Sequence, residues 1–218
     1  YYYKLLLKIV NDYIVYFFNN GELTSSKYLF SIIFNANLNE HEDLDIINLK
    51  SSLNCNIASV YEKENNNQKA REYYELAHYY SKGIFNSLAI QNNLTRVYAK
   101  LGMEDFSVET NFSVYVCILE LLEKEISKTR DKELVCFIFF NCCIFMKKNF
   151  EKGLQISTFL LGEDHYLTQK FSLKVSNSTI NTSNNKNSNS SIKNKNKNKK
   201  CSDKYLFPKF LVDNMIKT

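Results

Sequence analysis

The residues of this chain that could do chemistry are few and scattered. Its three histidines, His41, His78 and His165, are far apart in sequence, and none sits in an HExxH pattern. There is no Ser/His/Asp order and no Gly-rich phosphate loop. Glu120, Glu123 and Glu125 read as a solvated helix end. The six cysteines, Cys55, Cys117, Cys136, Cys142, Cys143 and Cys201, form no CxxC pair and have no histidine at zinc-ligand spacing. Adjacent Cys142 and Cys143 must point in different directions on a helix. They read as small apolar side chains in a reducing compartment. The chain is therefore read as non-enzymatic, with no catalytic, cofactor-binding or metal-binding residues and no small-molecule substrate. Its remaining chemistry is recognition: Arg96 and Lys100, four apart on one helical face, could hold a carboxylate.

Such residues need rigid elements to position them, and the composition says which. Hydrophobic residues make up 44% of the 218 positions and charged residues 23%, while Gly is 5 and Pro is 1. Sandwiches, barrels and doubly wound sheets need many tight turns, for which Gly and Pro are the usual residues. A chain so poor in both reads as all-α, with long helices and short polar connections. Apolar periodicity predicts four helix pairs, at about 2–18 and 23–35, 44–63 and 68–82, 87–100 and 104–126, and 132–146 and 150–161. The breaks between them, such as Asn19-Asn20-Gly21 and Leu101-Gly102, are so short that paired helices must be antiparallel neighbours. Gly162 suits a helix end and Asp164 the start of a further helix over 167–175.

Three domains follow. Residues 1–175 form the helical repeat domain, with four pairs and the start of a fifth. Residues 176–203 form an Asn/Ser/Lys tract expected to be disordered. Residues 204–218 form an amphipathic segment. Six of the 28 basic residues lie in 176–200, leaving 22 against 23 acidic residues elsewhere, so the net charge of +5 comes from the tract and not from a basic face. The apolar run 134–146 is too short to cross a bilayer, and no membrane association is expected. The N-terminus has no small-residue cleavage site. A cytoplasmic location is expected, with cytoskeletal association open and a nuclear one disfavoured. The chain opens on Tyr1, so it reads as a fragment, a processed form or an incomplete gene model.

The helix pairs repeat. Ala58 and Tyr61 lie one turn apart, and Ala70, Tyr74 and Ala77 form one stripe on the next helix. Small residues let the backbones approach, and the tyrosines fill the space beside them. Leu94, Thr95, Tyr98, Ser107, Asn111 and Val114 follow the same template, as do Phe140, Asn141, Ile144, Gly153, Ser157 and Leu160. The first pair offers Tyr13, Tyr16, Ser25, Leu29 and Ile32. Tyr16, Tyr61, Tyr98 and Ile144 are then spaced by 45, 37 and 46 residues. This pattern resembles the tetratricopeptide (TPR) repeat, whose standard period is shorter. The longer spacing, Gln91-Asn92-Asn93-Leu94-Thr95-Arg96-Val97-Tyr98 and Leu161-Gly162-Glu163-Asp164-His165 resemble the kinesin-light-chain-like branch of that family. The likeness covers about 5–175. Tyr166 stands where that branch has Pro, and the heptad region of true kinesin light chains is missing, so the chain is not read as a kinesin subunit.

The resemblance implies a right-handed superhelical solenoid whose concave groove, lined by first helices, binds an extended peptide or a partner helix. It places Asn56, Ser59, Glu62 and Lys63 in that groove from the second pair, and Asn92, Asn93, Arg96 and Lys100 from the third. It gives Ala58, Tyr61, Ala70, Tyr74, Ala77 and Tyr98 the packing roles. The matching face of the fourth pair, Ile138, Phe139, Cys142 and Phe145, is apolar and needs a cover, for which the segment 205–216 or a partner is expected. Two other readings compete. A nucleic-acid-associated repeat would use Lys193–Lys200 for phosphate contacts, but that run has no aromatic residue for base stacking. A fragment of a longer solenoid would explain the hydrophobic N-terminus.

Overall fold

The computed structural model describes residues 2–35, 43–123 and 132–186. Among the described residues the chain is all-α. Its helices are α1 (Tyr2–Asn19), α2 (Leu23–Asn35), α3 (Leu44–Lys63), α4 (Asn67–Tyr80), α5 (Ile84–Lys100), α6 (Glu104–Glu123), α7 (Lys132–Met146), α8 (Phe150–Leu161) and α9 (Tyr166–Lys186). They pack in sequential pairs, α1 on α2, α3 on α4 and α7 on α8, and the pairs contact one another through α1 with α3 and α4 with α5. The chain divides into two compact units at Cys117 and Ile118, within α6.

The pairs turn back by a repeated device. Each turn places a residue in the left-handed region: Gly21 at φ 80°, Asn65 at 61°, Gly102 at 72°, and Lys147 and Asn149 at 55° and 66°. In α3 the amides of Asn65 and Asn66 donate back to the carbonyls of Glu62 and Tyr61, and in α5 those of Gly102 and Met103 donate to Ala99 and Tyr98. This is the glycine-type helix stop, which satisfies the last carbonyls. Asn serves in place of Gly because it tolerates left-handed backbone, so few glycines suffice. The Asn66 side chain also accepts from the Lys69 amide and caps α4. α9 starts one residue later than Asp164 suggests: His165 Nδ1 accepts from the Leu167 amide, and Asp164 contributes its carbonyl to Gln169. α9 also runs past Val175 to Lys186, into the Asn/Ser/Lys tract, where neither Gly nor Pro stops it. His41, Cys201, the rest of the tract and the segment 204–218 lie outside the described residues.

Within each pair a small residue on the second helix meets the first. Ala70 and Ala58 are fully buried with Tyr74, Ala77, Tyr98 and Cys55 in one core, and Tyr61 packs on its edge, stacked on Tyr73 at 5.4 Å. Where the small residue is serine it also bonds across the pair: Ser26 Oγ donates to the Ile14 carbonyl at 3.1 Å, and Ser107 Oγ to the Thr95 carbonyl at 2.8 Å. Ser26, and not Ser25, is the buried residue here, and Ile14 and Phe30 are buried while Tyr13, Tyr16 and Ile32 are exposed. The first pair therefore sits one residue later in the repeat frame than tyrosine matching predicts, and Phe17 takes the place of Tyr16.

In the second unit Gly153 is the small residue, and Phe171 of α9 lies against it and edge-on to Phe140 at 4.9 Å. Phe171 also meets Phe139 at 6.4 Å. Ile138, Phe139 and Cys142, expected to need a cover, are buried.

Candidate functional site

The residues singled out on the first helices of the second and third pairs come together in the first unit. Asn56, Ser59, Asn92, Asn93 and Arg96 are buried, while Lys63 and Lys100 are exposed. Burial obliges polar groups to find partners, and these run between pairs for Asn56 and Asn93 and within the pair for Ser59. Asn56 Nδ2 donates to Asn11 Oδ1 at 2.8 Å, tying α3 to α1. Asn93 bonds toward Cys55, tying α5 to α3. Ser59 Oγ lies 2.9 Å from the Tyr74 hydroxyl.

The strongest link is ionic. Glu62 accepts from Arg96 through both oxygens, Nε to Oε1 and Nη2 to Oε2, each at 2.6 Å. Lys100 Nζ donates to the same Oε1 at 2.8 Å, and the Tyr74 hydroxyl donates to Oε2 at 3.2 Å. The carboxylate expected to sit against Arg96 and Lys100 is thus supplied from within the chain. Glu62 is 3% exposed and Arg96 4%, so each charge would be costly alone and is stable only as part of the set. Burial by itself would raise the Glu62 pKa, but the hydrogen bonds and charge of Arg96, and then of Lys100, hold it below the usual carboxylate range. Burial likewise opposes the Arg96 charge, and Glu62 outweighs it, leaving the guanidinium more firmly protonated. Two cations against one carboxylate leave a surplus of positive charge, and it falls on exposed Lys100.

Lys63, at the end of α3, donates to the Phe18 carbonyl at 3.2 Å and lies 4.6 Å from the centre of the Phe18 ring. The site as built is a seam of paired polar groups with lysines at its rim.

Sequence reasoning missed Asn11 and the structural role of Tyr74's hydroxyl. No repeat signal marks Asn11, which falls one position before the equivalent of Asn56 in the frame the structure follows. The two-carboxylate-oxygen contact of Glu62 with Arg96 spans 34 positions, and no local pattern announces it. The cysteines are not part of the seam's chemistry beyond Cys55, whose thiol burial pushes up to about 12. Burial also raises Cys136 and Cys143 to about 12 and Cys142 further. Among the described residues, no three His, Cys, Asp or Glu side chains gather to hold a metal, and no helix is long and apolar enough to cross a membrane.

No family model and no curated protein matches the chain. Its fold is similar to that of a solved protein from Podosopora anserina, described as a kinesin light chain with nearly identical TPR-like repeats. The TM-score is 0.59 at 14% identity, over 83% of this chain and 88% of that one. The chain thus has a TPR-like repeat fold.

Proposed function

We propose that the chain is a non-enzymatic scaffold that holds a short peptide or a partner helix along the first helices of its second and third pairs. The observation that carries this is the surplus positive charge at the rim of the Glu62 cluster. Lys100 is half committed to a carboxylate already satisfied by Arg96, so it can turn to an acidic group of a partner without stripping Glu62. Lys63 provides a second cation. Asn56, Ser59, Asn92 and Asn93 lie buried beneath this rim, where they tie the first helices together and hold the lysines at a fixed spacing. Arg96 holds Glu62, and through it Lys100, in position. Protein partners in the cytoplasm fit this reading better than nucleic acid, because the charge outside residues 176–200 is close to balanced.

The test is binding of the full chain to an array of short peptides, with acidic side chains placed at successive positions, followed by titration of the best peptide. Lys63→Glu with Lys100→Glu should weaken it at least tenfold. A deletion of 176–200 should leave it unchanged. Equal affinity for the lysine variant, or loss only with the tract deletion and in a nuclease-sensitive manner, refutes the groove and moves recognition to the tract.

A further inference from the structure

Met103 precedes α6, and its amide donates to the Tyr98 carbonyl at 2.9 Å in the turn made by left-handed Gly102. Its side chain is half-buried and packs against the core that holds Ala70, Tyr74 and Tyr98. The thioether also has a charged neighbour. Arg71 Nη1, from α4, donates to Met103 Sδ at 3.7 Å. The rest of the guanidinium is incompletely served. Nε is buried and makes no hydrogen bond, although Glu75 Oε1 lies 3.5 Å away. That carboxylate oxygen already accepts from the Tyr98 hydroxyl at 3.0 Å. A guanidinium has five N–H donors and no acceptor, and a thioether sulfur accepts only weakly. Arg71 is therefore a donor aimed at a site where a stronger acceptor would be welcome.

Oxidation of the sulfur supplies one. A sulfur lone pair attacks one oxygen of hydrogen peroxide, the O–O bond breaks and an S–O bond forms. The other oxygen leaves as water with both protons, so sulfur is oxidised by two electrons and the peroxide reduced by two. In an ordinary apolar contact the sulfoxide oxygen is an acceptor without a donor, and the packing suffers. Beside Arg71 the donor is already in place. The 3.7 Å between Nη1 and Sδ leaves room for an oxygen on the sulfur at the roughly 2.8 Å of a charge-assisted hydrogen bond. That oxygen sits off the N–S line and turns a lone pair to the guanidinium. Methionine is unbranched and rotates freely about its last bonds, so the oxygen of either sulfoxide epimer can be brought there. We propose that Met103 is a peroxide-responsive modification site, whose sulfoxide oxygen is received by Arg71 and locks α4 to the start of α6. The lock joins the second and third pairs through their second helices. It lies apart from Lys63 and Lys100 and does not depend on the peptide-binding reading.

The test uses the full chain with Met146→Leu and Met215→Leu, which leaves Met103 of the three methionines. The folded chain is treated with hydrogen peroxide and then with a thiol reductant, which restores sulfenic acids and disulfides but not the sulfoxide. Peptide mass mapping should find one added oxygen, on Met103. Urea unfolding then compares the oxidised and reduced chains, with Arg71 and with Arg71→Leu, as a double cycle. With Arg71 present, oxidation should change the folding equilibrium constant by less than about threefold. In the Arg71→Leu chain it should lower the constant at least about tenfold, as expected for a buried acceptor left without its donor. Arg71→Lys keeps the charge without the planar fork. It should show a loss between the two, and it carries the comparison if Arg71→Leu fails to fold. Sulfoxide reductases for the two epimers should together reverse each loss. A Met103 that oxidises only after unfolding in urea overturns the site. Equal losses on oxidation with and without Arg71 overturn the lock.

Discussion

Glu62→Ala is the most informative single change. It removes the carboxylate that binds Arg96 through both oxygens and leaves a buried guanidinium, 4% exposed, beside Tyr74 and Cys55. Breaking a buried ion pair by deleting one partner costs about 3–5 kcal/mol. For a chain of this size that corresponds to a fall in Tm of roughly 6–20 °C. Lys100 adds little to the figure, because its side chain is 39% exposed and water screens it. Removing both buried charges, with Glu62→Met and Arg96→Met together, should recover most of the loss, since an apolar pair of similar volume is often neutral or better. Urea unfolding followed by far-ultraviolet circular dichroism on wild type, both single variants and the double gives the coupling energy directly. The pH dependence gives a second reading. The folded carboxyl of Glu62 titrates below its unfolded value. Its stabilisation is therefore complete above about pH 4.3, the ordinary glutamate range, and is lost as pH falls toward the lower folded value. The Glu62→Ala variant should lack that acid-limb loss. A Glu62→Ala cost under about 1 kcal/mol, the size of a surface ion pair, would refute the account of the seam. So would a double variant as damaged as the sum of the singles.

Other substitutions test the pair geometry and the cores. Gly153→Ala places a methyl carbon 2.0 Å from Phe171 Cε1. Overpacking of this kind costs about 1–3 kcal/mol, and Phe171→Leu in the same chain should return part of it, as read by thermal unfolding. Lys147→Gly should stabilise by about 1 kcal/mol, because a lysine held at φ 55° carries a left-handed penalty that glycine lacks. Burial holds the Cys55, Cys136, Cys142 and Cys143 thiols protonated well above neutral pH. A thiolate-selective reagent at pH 8 should leave these four unlabelled in the native chain and label them once denaturant is added.

The fold was legible in the sequence where a single residue type answers one geometric need. Ala58 and Ala70 are small because two helix axes approach there, and the breaks at Gly21, Asn65 and Gly102 are where the backbone turns left-handed. The first pair shows the limit. Tyr13 and Tyr16 mimic the spacing of Ala58 and Tyr61 in the second pair, yet the structure turns them outward and buries Ile14 and Phe30. Side-chain type alone does not separate a packing tyrosine from an exposed one when the two frames differ by one residue. At the candidate site, residue choice was readable and pairing was not. Asn56, Asn93 and Arg96 were visible as polar groups on first helices. That Glu62 would neutralise Arg96 depends on how the end of α3 approaches α5, a distance set by packing and not by sequence neighbours.

That pairing changes how an end of the repeat array can open. In a one-dimensional stack, a terminal unit frays at the cost of its own contacts and one interface. Here the second pair holds the counter-ion of the third. Melting α3 alone would take the Glu62 carboxylate from Arg96, and melting α5 alone would take the Arg96 guanidinium from Glu62. Each partial opening is thus more expensive than contact area would suggest, and the two helices should exchange their amide protons together. The seam therefore sets the size of the cooperative unit as well as its stability: the smallest piece of the first unit that can open cleanly contains both α3 and α5.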